Sequence, residues 1–187
     1  MSDMIKTRAT FADYDALPES NQIIELIDGE IIVNPPLDVH QDTLGTIYVF
    51  LRQSLTDGKL RMAPTGIYFD EHNSFEPDIF WVSPQNELCF LGDDNRYWHG
   101  APDLIVEILS SSTTTKDRGV KFDTYERSGV REYWLVDPLS RYIEIYNNRQ
   151  NGFTRLGLFE PGKTFVSEVL GAITVEVNQL FPVDHAT

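Results

Sequence analysis

The sequence predicts an α+β (α/β) fold: a central mixed β-sheet flanked by helices, with additional β-hairpins. Three observations carry that prediction. Asp103-Leu104-Ile105-Val106-Glu107-Ile108-Leu109 is a mostly apolar run of strand length, the pattern of a strand buried on both faces. Leu44, Ile47, Tyr48, Leu51 and Leu55 fall at steps of three and four, so Val39 to Leu55 reads as an amphipathic helix. Asp28-Gly29 joins the apolar runs Ile23 to Ile27 and Glu30 to Val33, a hairpin signal because both turn positions need positive φ.

The other elements follow in chain order. Thr10 to Leu17 reads as a short helix, with Thr10 as its cap and Pro18 just beyond its end. Asn34-Pro35-Pro36 closes the first hairpin. Leu60 to Phe69 and Pro77 to Val82 read as strands, and Asn86 to Gly100 as a polar and aromatic loop or a short extra hairpin. Ser110 to Thr115 is a polar break with capping potential, and Lys116 to Ser128 a helix ended by Gly129. Glu132 to Val136 and Tyr142 to Tyr146 are strands around Asp137-Pro138-Leu139-Ser140, with further short strands at 153–158 and 172–177. No repeat, low-complexity tract or linker divides the chain, so residues 1–187 read as a single domain.

Composition narrows the function classes. The longest uncharged stretch, Thr43 to Leu51, has nine residues, whereas a membrane helix needs roughly 20. Met1 to Lys6 lacks an apolar signal core, and the single cysteine, Cys89, can form neither an internal disulfide nor a zinc cluster. Both features point to a cytoplasmic protein. The formal net charge is -14, from 29 acids against 15 bases. Such a field repels phosphate and disfavours a scaffold that coats nucleic acid without regard to sequence. The acidity is uneven: residues 1–40 carry a net -6 and residues 70–107 a net -8. Acidic blocks are commonly solvated faces, but two of them flanking a helix can also converge on a cation.

Three features inside those blocks and just beyond them carry chemistry. Asp78 opens the apolar strand Ile79 to Val82, Glu107 sits within an apolar run, and Lys121 lies on the helix that follows. A carboxylate in a buried strand needs a partner, because desolvation of a lone charge is costly. Two carboxylates can hold Mg²⁺ or Mn²⁺, and a lysine can neutralise charge that develops on a phosphate. Each residue also has a plain reading: Asp78 as a turn cap, Lys121 as a solvated helix-face cation.

Taken in order, Ile24-Glu25-Leu26-Ile27-Asp28-Gly29-Glu30, Pro77-Asp78, Ala101 to Ser110, Asp117…Lys121…Tyr125 and Gly129 to Pro138 resemble the nuclease superfamily whose motif is written PD…(D/E)xK. Within it, the chain is most similar to a family of small restriction-endonuclease-like proteins once catalogued as a domain of unknown function. The resemblance implies a restriction-endonuclease-like core over residues 10–180 and a metal-dependent endonuclease acting on DNA. It also implies Asp78 and Glu107 as ligands of Mg²⁺ (or Mn²⁺), the main-chain carbonyl of Ile108 as a third ligand, and Lys121 as the catalytic cation. Glu25 resembles the family's early acid, placed near a second metal or its water. One departure stands out: Leu109, not lysine, lies two residues after Glu107, and the resemblance moves the lysine to the next helix.

His40, near a helix start, is either a phosphate contact, a general base or a residue of the cap region. Residues 116–131 carry five bases against three acids, and that face, with Arg118 and Tyr125, is the candidate substrate side. Cys89 has no motif histidine nearby and Ser110 to Ser112 no nucleophile elbow, which disfavours covalent catalysis. A double-strand cutter commonly uses two active sites, so a homodimer is expected. The rival expectation is a non-catalytic binding or scaffold protein on the same fold.

Overall fold

The computed structural model describes residues 8–18, 22–34, 37–110, 113–150, 152–171 and 173–183. Of the expected features, Met1 to Lys6, Pro35, Pro36, Ser111, Ser112 and Ala172 lie outside the described residues.

The chain opens with α1 (Phe11–Asp15), where the Thr10 hydroxyl and the Asp13 carboxylate cap each other's main-chain N–H. The strands β1 (Ile23–Ile27) and β2 (Glu30–Asn34) form the expected hairpin. Asp28 and Gly29 take φ of 50° and 75° at its turn, the conformation for which the Asp-Gly pair is suited. Then comes α2 (Asp38–Ser54), which buries Leu44, Ile47 and Leu51 on one face.

The region between Leu60 and Phe69 departs from the expected single strand. It is two strands, β3 (Lys59–Met62) and β4 (Gly66–Asp70), and they belong to different sheets. Pro64 lies between them, and with no N–H to donate it interrupts the ladder. A short strand that the pattern did not signal, β5 (Asn73–Phe75), precedes β6 (Ile79–Val82). The Asn86 to Gly100 region contains the hairpin β7 (Phe90–Leu91) and β8 (Tyr97–His99). The apolar run becomes β9 (Leu104–Ile108), buried along its whole length.

The expected helix over 116–128 is likewise two pieces, α3 (Thr114–Asp117) and α4 (Val120–Ser128). They are offset at Gly119, where an added Cβ would stand 2.8 Å from the Thr115 carbonyl oxygen. Gly129 ends α4 in the left-handed conformation, φ 94°. The remaining strands are β10 (Glu132–Asp137), β11 (Tyr142–Arg149), β12 (Gly152–Phe159), β13 (Thr164–Ser167) and β14 (Ile173–Glu176), followed by a 3₁₀ turn at Val177–Leu180.

These strands build two six-stranded mixed sheets and a small hairpin. The first sheet has the order β2-β1-β5-β4-β8-β7 and the second β12-β11-β10-β9-β6-β3, with β13-β14 apart. The expected extra hairpins are therefore a full second layer. Their combined apolar face can be buried only if they pair with one another. The shortest of the chain's three passages from the first sheet to the second is the three-residue link Glu76-Pro77-Asp78 between β5 and β6. Strands β6, β9 and β10 alternate between two cores. Ile79, Trp81, Val106, Trp134 and Val136 share one with α2, whereas Phe80, Ile105, Tyr133 and Leu135 share the other with Phe75 and Tyr125. No helix among the described residues is long and apolar enough to cross a membrane.

Candidate active site

The charged residues come together where the second core meets the link between the sheets. Glu25 projects from β1 and is buried. Its Oε1 accepts the Glu76 main-chain N–H at 3.0 Å and lies 2.9 Å from Lys121 Nζ. Asp78 ends the link. In the antiparallel register of β6 on β9, Ile79 faces Val106, so one step back sets Asp78 beside Glu107. Asp78 Oδ2 accepts the Ile108 N–H at 2.7 Å and lies 3.1 Å from His40 Nε2 in the first turn of α2.

Glu107 faces the opposite side of the sheet from Val106 and Ile108. Its Oε1 accepts Lys121 Nζ at 3.0 Å and the Tyr125 hydroxyl at 2.6 Å. Lys121 and Tyr125 are one turn apart on α4, so one helix face delivers both donors. Asp117, at the end of α3, is the third carboxylate near Lys121, with Oδ1 3.5 Å from Nζ. Neither Asp117 carboxylate oxygen has a donor at hydrogen-bonding geometry among the described residues.

The side chains of Glu25, Glu107, Asp117 and Lys121 are at most 4 % exposed, so their charges act on one another with little screening by water. Burial pushes Glu107 well above the usual carboxylate range. Lys121 opposes that shift, while Asp117, Asp78 and Glu25 add to it. Burial, reinforced by Glu25 and Asp78, pushes Asp117 up to about 6 against the pull of Lys121. For Lys121 burial works against the charge, but Glu107, Glu25 and Asp117 outweigh it and hold the ammonium protonated. Burial likewise opposes a charge on His40, and Asp78 overcomes it to raise the imidazole. Glu76, whose Oε2 accepts the Ile24 N–H at 3.3 Å, is pushed up to about 7 by burial and by Glu25.

Three carboxyl groups thus surround one ammonium, with Asp78 beside Glu107 in the strand register, an excess of oxygen ligands with acidic character. Such a set suits a hard divalent cation such as Mg²⁺ or Mn²⁺. The buried, donor-poor oxygens of Asp117 fit the same chemistry. Among the described residues no three His, Cys, Asp or Glu side chains already converge as a ligand cage. The cation among the carboxylates is Lys121 itself.

The structure brings Glu25, Asp78, Glu107 and Lys121 together, with His40 on Asp78 and the Ile108 main chain against the same carboxylate. Tyr125 is fully buried behind Glu107, so its hydroxyl positions a carboxylate and does not face a substrate. Arg118 turns away to β11, where it pairs with Glu144 and donates to the Tyr142 hydroxyl at 3.3 Å. Asp117 and Glu76 were not singled out as site residues from the sequence. The four-residue spacing to Lys121 was the available signal for Asp117. Glu76 had none, because its place depends on the crossing between sheets. Cys89 is buried, and burial pushes its thiol up to about 12, which leaves it un-ionised and unreactive.

The mixed α+β fold is that of a nuclease-like family. The family model named Uma2, described as "Putative restriction endonuclease", matches residues 11–178, and the chain belongs to that family. Among solved structures, it is similar to one titled as a putative nuclease belonging to DUF820 from Anabaena variabilis ATCC 29413. The TM-score is 0.73 at 22 % identity, with 91 % of this chain and 96 % of that one covered, a likeness of fold. No curated protein matches the chain.

Proposed function

We propose that the chain is a Mg²⁺- or Mn²⁺-dependent endonuclease that hydrolyses DNA phosphodiester bonds. The observation that carries this reading is the meeting of Glu25 from β1 and Glu107 from β9 on buried Lys121 of α4, with Asp78 beside Glu107 in the strand register. In this reading Asp78, Glu107 and the Ile108 carbonyl hold the ion, with Asp117 adjoining. When bound, the ion supplies Lewis acidity toward a phosphoryl oxygen and lowers the pKa of water. Lys121 offers an ammonium to the charge that develops on the phosphate. Glu25, fixed by the Glu76 N–H, and Tyr125, on Glu107, keep the lysine and the carboxylate in one orientation. Two copies acting together would cut both strands, and analytical ultracentrifugation tests the homodimer that this requires.

The test is cleavage of supercoiled and linear DNA with Mg²⁺ or Mn²⁺, comparing the wild type with Asp78→Asn, Glu107→Gln and Lys121→Ala. Loss of activity in all three is the expected result, and activity untouched by every change overturns the assignment. A second reading, a non-catalytic member of the fold, is favoured by the near-complete burial of Lys121 among three carboxylates. Titration calorimetry with Mn²⁺ separates the two, because the second reading expects no binding.

A further inference from the structure

Next to the acidic cluster lies an open groove of about 710 Å³, lined by Tyr14, Arg61, Glu76, Arg96, Tyr97 and Trp98 among others. Its chemistry is unlike that of the cluster. The Arg61 guanidinium lies over the Trp98 indole, 5.6 Å from the ring centroid, and Arg96 lies over the Tyr97 ring at 5.4 Å. Both cations stand over aromatic rings before any ligand arrives. One Arg61 N–H is fixed by the Leu60 carbonyl at 2.8 Å, and among the described residues Arg61 has no carboxylate within ion-pair distance. Arg96 has one, Asp15, at 2.8 Å in an exposed pair.

The rings are seated with care. An added Cβ at Gly66 would stand 2.8 Å from the Tyr97 ring, so glycine there lets Tyr97 lie against β4. Trp98 is backed by Phe80 in an edge-on contact at 5.5 Å. The groove is joined to the cluster through one residue. Glu76 lines it, and the Glu76 N–H holds the same Glu25 Oε1 that faces Lys121.

Guanidinium groups set over aromatic rings offer a positively charged, aromatic surface, which suits an unstacked base and its phosphate. A duplex keeps its bases stacked and cannot present one to such a surface without opening. We infer that this groove binds an unpaired nucleotide of a DNA strand and seats it beside the carboxylate cluster. The inference rests on the nuclease reading for its purpose, but the binding itself does not require cleavage.

The experiment uses the full chain with Ca²⁺ in place of Mg²⁺ and follows fluorescence anisotropy of labelled oligonucleotides. A single-stranded mixed-sequence oligonucleotide should bind more tightly than the blunt duplex of the same sequence. Arg61→Gln and Arg96→Gln should each weaken single-strand binding by about tenfold, in line with the loss of one stacked contact, and duplex binding by less than about twofold. Arg96 is exposed and Arg61 half-buried, and circular dichroism verifies that both variants keep the fold. Equal binding of single strand and duplex, or unchanged single-strand affinity in both variants, overturns the inference. Arginine-dependent single-strand binding, with no cleavage in parallel assays with Mg²⁺ or Mn²⁺, overturns the nuclease reading and leaves the groove assignment standing. Cleavage with arginine-independent binding does the reverse.

Discussion

Glu107 and Glu132 sit on neighbouring strands, β9 and β10, and both are almost completely buried, yet they are opposites. Glu132 is satisfied by neutral donors. Its Oε1 accepts the Trp134 indole N–H and the Ser167 hydroxyl, both at 2.7 Å, and its Oε2 accepts the Glu168 N–H at 3.0 Å. These contacts fasten the β13-β14 hairpin to the second sheet. Glu107 instead has a lysine, a tyrosine and three other carboxyl groups around it. Burial of an acid therefore does not by itself mark a functional site. The company does: neutral donors make a structural acid, and competing charges make one whose energy can be lowered by a cation from outside.

The contrast can be broken by mutation. Glu107→Gln should reduce metal-dependent DNA cleavage by about a thousandfold, the scale for losing a group that acts on transition-state charge. Its thermal midpoint should stay level or rise, because the change removes repulsion with Asp117, Asp78 and Glu25. Cleavage assays and calorimetry on the same preparation check both halves. Glu132→Ala should do the converse. It strands the buried donors of Trp134 and Ser167, so unfolding in urea should show a loss of about 3 kcal/mol. Cleavage per folded molecule should change by less than about threefold.

The pH dependence sharpens the same difference. Asp117 has a pKa of about 6 in the fold against 3.8 as the ordinary value. Between those values the folded state binds more protons than the unfolded one, so stability falls as pH rises from about 4 to about 6. The loss from this carboxyl is on the order of 3 kcal/mol. Glu76, at about 7, extends the decline toward neutrality. If a divalent ion takes the place of the proton, Mn²⁺ should raise the melting midpoint much more at pH 7.5 than at pH 5. A midpoint shift equal at both pH values would separate metal binding from these carboxyl groups. The smallest effect belongs to Tyr125→Phe, which removes one donor from Glu107 and should cost about 1 kcal/mol in stability. Its cleavage pH profile should shift while the affinity for DNA does not.

The same acids show how far the sequence could be read. A buried carboxylate needs a partner, and in the sequence this singled out Glu107 within its apolar run but not Glu132 at the start of a strand. Nothing local says whether the partners are charged. The Asp28-Gly29 hairpin, the face of α2 and the buried β9 were legible because each is decided by neighbours within a few residues. The split of Leu60 to Phe69 between two sheets was not, although Pro64 marked the break, because which sheet a strand joins is settled by distant pairing. Asp117 was within reach through its spacing to Lys121. The guanidinium–aromatic groove was not, since Arg61 on β3 meets Trp98 on β8 only through the pairing of distant strands in two different sheets.

From the order of residues alone come the element types, the mixed fold and the resemblance that singled out Asp78, Glu107, Lys121 and Glu25. Turn chemistry, side-chain periodicity and short ordered motifs are local, and the chain carries them whatever its final shape. Only the folded molecule decided that the extra hairpins close into a second six-stranded sheet. It also decided that Glu76 ties Glu25 to the inter-sheet link, that Asp117 joins the lysine, and that Arg118 turns away to Glu144. Those outcomes depend on strand order and on desolvation summed over the whole core, and neither is encoded in any short stretch of sequence.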